Sequence, residues 1–373
     1  MRIGFDAKRA FSNNTGLGNY SRDAIKVLSH YFPDDKYFLY TPKKNNNHKL
    51  AFINDRENIA IQTPESLLNR TLKAYWRSKS VVKDLLANKI DIYHGLSNEL
   101  PIGIETTSIK TVVTIHDLIF MRYPNLFKAI DRKIYHKKFK SACQRANKII
   151  AISKQTKEDI IDFFCIPEEK IEVVYQGCNK VFQSKIHEDE KQSTISKYDL
   201  PKNYLLYVGT IEERKNLLTL LQALKELPRQ KLVVIGNGKS YRVKCQRFIT
   251  KHKLSDRVIF LSDLSLEEIA VIYQVANIMI YPSIFEGFGI PILEALFSKT
   301  PIITSEQGCF SEVGGLNSKY INPLSVSAMK EAIMEIQDSS ELQHNMTEKG
   351  FEYAQKFTDD KIAKNLMEVY TNL

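Results

Sequence analysis

Short β-rich runs alternate with longer helical stretches along this chain, pause at a polar passage, and then alternate again. In the first half the runs are 3–7 (IGFDA), 37–41 (YFLYT), 91–94 (DIYH), 111–116 (TVVTIH), 148–153 (KIIAIS) and 171–176 (IEVVYQ). Mostly apolar runs separated by helix-length segments are the pattern of buried parallel strands joined by crossover helices. Residues 184–203, SKIHEDEKQSTISKYDLPKN, break the rhythm with the composition of a linker. It resumes with 204–210 (YLLYVGT), 231–237 (KLVVIGN), 258–263 (VIFLSD) and 278–283 (IMIYPS), with helices from Asn216, up to about Lys253 and over 265–276 between them. From about Ser325 the chain reads as helical with no further strand. The expectation is an α/β protein with two doubly wound, Rossmann-like sheets: a domain over 1–183, a linker over 184–203 and a domain over 204–357. A last helix, about 358–373, is expected to pack back on the first domain. Such sheets bind ligands at the carboxyl ends of their strands, so two of them suggest domains facing across a cleft that holds the chemistry. The alternative is two independent domains.

At 373 residues with 43% hydrophobic content the chain has room for two cores, and neither disorder nor a fibrous repeat is indicated. Five scattered cysteines suggest no disulfide framework and no zinc site, which fits a reducing cytoplasm. The start, MRIGFDAKRAF, lacks the apolar core of a leader, and no apolar run approaches the ~18 residues of a membrane span. Residues 1–183 carry 30 Lys and Arg against 19 Asp and Glu, and the remainder 23 against 24. All the excess positive charge therefore lies in the first half.

Four segments carry candidate chemistry. In 283–303, SIFEGFGIPILEALFSKTPII, a glycine-containing turn leads into a helix with Pro291 near its start. Unpaired amides at Phe288, Gly289 and Ile290 could receive a phosphate there. Glu294, one turn into that helix, is placed to accept hydrogen bonds from a vicinal diol such as ribose, and Glu286 would face the same cavity. The plainer reading is that Glu294 complements the helix dipole and Glu286 is a solvated carboxylate. In YVGTIEERKNLLTLLQAL the strand ends on a loop with Arg214 and Lys215, before a helix opened by Asn216. Those two cations suit a diphosphate, although an Arg-Lys pair is also a common solvated turn. VVTIHDLIF delivers His116 and Asp117 to the end of a buried strand, where they could position a hydroxyl or exchange a proton, or merely make structural hydrogen bonds. NNTGLGNYSRDAIKVL places Gly16 and Gly18 between the first strand and its helix, a weak dinucleotide-type signal that lacks a third glycine.

Taken in this order, FEGFGIPILEAL, GTIEERKN, IHD and GLGNY resemble the family 4 glycosyltransferases, whose two-Rossmann architecture is called GT-B, and the resemblance covers nearly the whole chain. It implies a nucleotide-diphosphate sugar held by the second domain, with Glu294 on the ribose, Glu286 near the transferred sugar and Lys215 on phosphate. Many members carry arginine directly after the strand glycine, where this chain has Thr210, so Arg214 is expected to supply that charge. By the same resemblance Gly16 and Gly18 approach the donor phosphates, His116 contacts the reacting sugar, and the base lies near Gly236 and Leu264. It further implies a retaining hexosyl transfer, metal-independent and without a cofactor, while the ERKN turn faintly favours a mannosyl or related hexose donor. The sequence shows no Asp-x-Asp pair at a strand end.

Two basic stretches remain. Arg122 to Lys148 holds nine Lys or Arg residues and one acid, Asp131, around Ile130, Ile134, Tyr135, Phe139 and Cys143, which are compatible with one helix face. Residues 70–89 are basic and carry the single tryptophan, Trp76. Trp76, Arg132, Lys133, Lys137, Lys138 and Lys140 are therefore candidates for contact with an anionic membrane surface or a lipid-linked saccharide acceptor, at about 1 kcal/mol per well-placed cation. Solvated helix faces are the alternative. No nucleic-acid motif is present, and no nucleic-acid partner is expected. The expected role is a cytoplasmic enzyme, peripheral on the inner face of the membrane, acting in polysaccharide or lipopolysaccharide biosynthesis. Two rivals are a GT-B nucleotide-sugar epimerase and a non-catalytic partner that binds sugar nucleotides or lipid.

Overall fold

The computed structural model describes residues 1–45 and 48–373. Its internal contacts divide the chain into two compact units, residues 1–177 with 359–373, and residues 178–358.

The amino-terminal unit holds seven parallel strands: β1 (Arg2–Asp6), β2 (Lys36–Tyr40), β3 (Ile59–Gln62), β4 (Ile92–Gly95), β5 (Lys110–Ile115), β6 (Lys148–Ala151) and β7 (Ile171–Val173). Their spatial order is β3-β2-β1-β4-β5-β6-β7. The central strands are buried on both faces, as Ile3, Phe5, Val112, Val113, Ile149 and Ile150 show, and their β-branched runs are suited to that. Helix Asp359–Thr371 belongs to this unit and packs along helix Gly16–Tyr31. Tyr370 from that last helix reaches the core, where its hydroxyl hydrogen-bonds His94 Nδ1 at 2.6 Å. His94 Nε2 in turn lies 2.8 Å from Thr114 Oγ1 on β5.

The carboxy-terminal unit holds six parallel strands: β8 (Leu205–Val208), β9 (Leu232–Ile235), β10 (Val258–Leu261), β11 (Ile278–Tyr281), β12 (Ile302–Ser305) and β13 (Lys319–Ile321), in the order β10-β9-β8-β11-β12-β13. One of its cores joins Leu205, Tyr207, Leu220, Val234, Ile280 and Ile333.

Three differences from the sequence expectation have physical causes. Residues 184–203, expected as a linker, contain a helix at Glu188–Lys197. Three acids in its first turn and Lys197 in its last complement the helix dipole, and Lys197 and Tyr198 both bond Glu268 of the neighbouring helix. Strands β3, β12 and β13 were not expected, being three or four residues long and held by their neighbours' ladders. Trp76, expected at a membrane surface, is 1% exposed, and its indole N–H donates to Asp84 at 2.6 Å. A buried indole needs such an acceptor. No helix among the described residues is long and apolar enough to cross a membrane.

Candidate donor and sugar sites

In the carboxy-terminal sheet, the strand order reverses direction between β8 and β11, so the loops after these strands flank a natural crevice. Gly209 ends β8 and Gly236 ends β9, both at positive φ (147° and 148°). A Cβ at Gly236 would sit 2.0 Å from the Gly209 carbonyl oxygen, so only glycine lets these two loops meet backbone to backbone. Thr210 is exposed just beyond, and Leu264 lies half-buried in the loop after β10. Asn216 stands at the N-cap position in a left-handed conformation, without the side-chain cap expected of it. Its amide instead donates to Pro323 O at 2.6 Å, and its Oδ1 accepts from Thr219 at 2.7 Å.

The turn before Asn216 points Arg214 and Lys215 at Glu286, which lies beyond β11. Arg214 Nη1 stands 2.7 Å and Lys215 Nζ 2.6 Å from the same oxygen, Glu286 Oε1. Ser283 Oγ (2.6 Å) and Tyr281 OH (3.0 Å) also donate to that oxygen. Arg214 is clamped on its far side by Glu212 at 2.7 Å. Burial opposes ionisation of Glu286, but the adjacent Lys215 and Arg214 outweigh it and hold the carboxyl at about 2. Glu286 is therefore a carboxylate at any working pH. Its Oε1 is saturated, while no hydrogen bond to Oε2 is found among the described residues.

The glycine turn then enters helix Ile290–Phe297 through Gly289, left-handed at φ 106°, with Pro291 in the first turn. Phe288 is buried. The Cys309 thiol, one of the five cysteines and given no role at this turn by the sequence, lies 3.2 Å from Glu286 O and 3.1 Å from Phe288 O and ties down the turn. Glu294 lies about one turn into this helix, and Tyr273 OH donates to its Oε2 at 2.8 Å. Burial raises its carboxyl to about 7, against the opposing pull of the Tyr273 hydrogen bond and Lys215. Two acids of one motif thus have different proton affinities: at Glu286 the neighbouring cations win, and at Glu294 desolvation wins.

In the amino-terminal unit, Gly16 and Gly18 fall within the first turn of helix Gly16–Tyr31 rather than between strand and helix. A Cβ at Gly18 would lie 1.8 Å from Asn13 O, so this glycine serves a close approach. The buried Arg22 holds the preceding loop through Ala10 O and Asn13 O, both at 2.8 Å. Tyr20 from the same helix stacks edge-on against His116 with centroids 4.6 Å apart, which brings the glycine segment and His116 together. His116 Nε2 is 2.9 Å from Leu96 O. A carbonyl can only accept, so Nε2 carries the proton and Nδ1 keeps its lone pair. Burial lowers the imidazole to about 4, so it is neutral near pH 7. Asp117 Oδ1 accepts from the Ile119 amide at 3.1 Å, at the entry to the short helix Ile119–Arg122.

Helix Ala129–Arg145 carries the basic stretch. Lys133, Lys137 and Lys138 are exposed and Arg132 and Lys140 half-buried. Its expected apolar face divides: Cys143 is in the core and Phe139 packs against it, while Ile130, Ile134 and Tyr135 are exposed. Leu67, Leu68, Leu72 and Tyr75 are exposed beside Trp76 in sequence. Among the described residues no group of three or more His, Cys, Asp or Glu side chains is placed to hold a metal ion.

Comparison with known proteins agrees with this architecture. The family model described as glycosyl transferases group 1 matches residues 188–353, and that of glycosyltransferase family 4 matches residues 30–180. The chain is 30% identical to the O-antigen chain mannosyltransferase RfbU of Salmonella typhimurium, over 60% of this chain and 60% of that relative's length. It is 24% identical to O-antigen chain mannosyltransferase B of Escherichia coli over 95% of this chain and 96% of the relative. The solved structure of Anabaena HepE in complex with UDP and glucose has the same fold, with TM-score 0.78 at 16% identity over 100% of this chain and 99% of that one. The lipopolysaccharide glycosyltransferase WaaG matches with TM-score 0.72 at 16% identity over the whole of both chains. With two matching family models that together span most of its length and a GT-B architecture, the chain belongs to family 4 of the group 1 glycosyltransferases.

Proposed function

We propose that this protein transfers a hexosyl unit from a nucleotide-diphosphate sugar to a polysaccharide or lipid-linked saccharide, with retention of anomeric configuration and no required metal. Mannose is the favoured sugar, because the two O-antigen relatives above are named mannosyltransferases. The observation that carries the reading is the Arg214–Glu286–Lys215 cluster at the reversal point of the carboxy-terminal sheet, with Glu294 in the adjoining helix.

Each group suits one part of such a donor. Arg214 and Lys215 are anchored by Glu286 and keep further N–H donors for a diphosphate, whose charge grows as the anomeric C–O bond breaks. Preorganised cations in a sheltered site stabilise that charge most effectively. Glu286, permanently ionised, offers Oε2 to sugar hydroxyls. Glu294 accepts the ribose diol, and within the amino-terminal unit His116 keeps an Nδ1 lone pair able to accept from a sugar hydroxyl. The new bond joins the anomeric carbon to the acceptor oxygen on the face the diphosphate leaves, and the acceptor proton passes to the departing phosphate.

The exposed Leu67, Leu68, Leu72, Tyr75, Ile130 and Ile134, interspersed with lysines, support peripheral contact with an anionic membrane through the amino-terminal unit. Thermal stabilisation across a panel of nucleotide sugars tests the donor assignment, since bound donor raises stability with the logarithm of its concentration. Absence of stabilisation by every member would sink it. Flotation with phosphatidylglycerol vesicles at low salt tests the membrane contact, and equal recovery with neutral vesicles would refute it.

A further inference from the structure

Behind His116 lies a run of buried polar groups to which the proposed transfer assigns no part. Tyr20, from helix Gly16–Tyr31, meets the His116 imidazole at a right angle. Its hydroxyl lies 2.9 Å from Thr114 Oγ1 on β5, two residues before His116. The same oxygen lies 2.8 Å from His94 Nε2 on β4, and His94 Nδ1 lies 2.6 Å from the Tyr370 hydroxyl in helix Asp359–Thr371. Thr114 and His94 are 0% exposed, Tyr370 2% and Tyr20 7%, so water does not compete for these bonds. One unbroken chain of hydrogen bonds therefore runs from the last helix to the ring that packs on His116.

The members of that chain depend on one another. Burial, and then the neighbouring His116, lower the His94 imidazole to about 3, so it stays neutral, with one ring nitrogen donating and the other accepting. If Nδ1 accepts from Tyr370, Nε2–H donates to Thr114. If Nδ1–H donates to Tyr370, Nε2 accepts from Thr114, whose oxygen is then left to accept from Tyr20. Apolar side chains of similar volume would fill the same space, whereas a buried polar network is satisfied in one geometry only. Such precision matters at His116. Asn98 Oδ1 holds its backbone amide at 3.0 Å, but the imidazole itself has a single hydrogen bond, from Nε2 to Leu96 O at 2.9 Å. One bond leaves a ring free to swing about it, and the perpendicular Tyr20 ring removes that freedom.

We propose that Tyr20 is a positioning residue for His116: together with the Leu96 carbonyl it holds the imidazole in one orientation and one tautomer, with Nδ1 unprotonated. Thr114, His94 and Tyr370 in turn hold Tyr20, so the last helix acts on His116 through three intervening side chains. The consequence for sugar transfer rests on the role given to His116 above.

The test labels the histidines of the full chain with nitrogen-15 and reads by NMR which ring nitrogen of His116 carries the proton at pH 7, its signal being assigned with His116→Ala. Wild type should show Nε2–H alone. Tyr20→Leu, which removes the ring, and Thr114→Val, which cuts the chain at nearly constant shape, should each raise the Nδ1–H form by about tenfold, the equilibrium worth of one buried hydrogen bond. Thr114→Ser keeps the hydroxyl and should restore the single tautomer whatever its melting temperature. Tyr370→Phe should shift the tautomer in the same direction, and the double variant Thr114→Val/Tyr370→Phe no further than Thr114→Val alone, because one chain is cut once. Turnover of GDP-mannose, read as released GDP, should fall roughly tenfold in Thr114→Val through kcat, with KM within about twofold of wild type, as misplacement of a reacting group does. A His116 that stays Nε2–H in both Tyr20→Leu and Thr114→Val overturns the proposal, as does a Thr114→Ser variant that behaves like Thr114→Val. If the tautomer shifts as described while turnover is unchanged, or is absent from wild type, the role given to His116 fails and the positioning stands.

Discussion

Replacing Glu294 with glutamine should stabilise the protein in a pH-dependent way while disabling it. Burial raises the Glu294 carboxyl from an ordinary 4.5 to about 7 in the folded state. Between those values the folded state binds more protons than the unfolded one, so stability falls as pH rises through the interval. At about 1.4 kcal/mol per pH unit, an ionised Glu294 above pH 8 costs the fold about 3 kcal/mol. Glutamine keeps an oxygen to accept from Tyr273 OH, now at 2.8 Å from the acid, and carries no charge. Glu294→Gln should therefore match wild type near pH 4.5 and exceed it by up to about 3 kcal/mol at pH 8.5, or roughly 5–10 °C in melting temperature. Calorimetry across that pH range measures this directly. Donor binding should weaken in the same variant, because the ribose diol needs a full carboxylate. In wild type, donor affinity should fall as pH drops below about 7, where Glu294 takes up its proton. A melting difference that is constant with pH, or a uniformly less stable variant, would refute the argument that this acid is strained by burial and held for a ligand.

Three further outcomes follow from the geometry. Lys215→Ala should lower sugar transfer by roughly a hundredfold or more, in line with the loss of preorganised charge at a transition state, measured as kcat with saturating donor. Gly236→Ala should destabilise the carboxy-terminal unit by about 1–3 kcal/mol in denaturant titration, because the added methyl meets Gly209 O at 2.0 Å and the backbone there has φ 148°. Tyr370→Phe leaves buried His94 Nδ1 without its hydrogen-bond partner at 2.6 Å and should cost about 1–3 kcal/mol, seen as faster amide exchange in helix Asp359–Thr371.

The glycine turn, Glu286, Glu294 and the Arg214-Lys215 turn were readable because strand-end loops and helix starts leave local signatures. Their pairing was not. The sequence reading assigned Arg214 and Lys215 to a phosphate and Glu286 to a sugar as separate roles, and the fold ties all three to one oxygen, Glu286 Oε1. Tyr281, Ser283 and Tyr273, which donate to the two acids, went unread, although an alternating tyrosine and serine at the end of β11 was a visible signal. Trp76 looked like a surface anchor because its neighbours are basic, yet its acceptor Asp84 lies eight residues on, across a π-turn that no periodicity announces.

Alternating apolar runs sufficed on their own to determine two parallel sheets, since burying a strand on both faces demands continuous apolar side chains wherever the chain repeats the unit. Local chemistry likewise marked which turns carry charge. What only the tertiary structure decided is how those charges are shared: which carboxylate is stripped of its proton by neighbouring cations, which one has its proton affinity raised by desolvation, and that Arg77 lies between Asp6 and Glu99. Proton affinity and ion pairing depend on distance and solvent exclusion between residues far apart along the chain, and neither quantity is written in the order of residues.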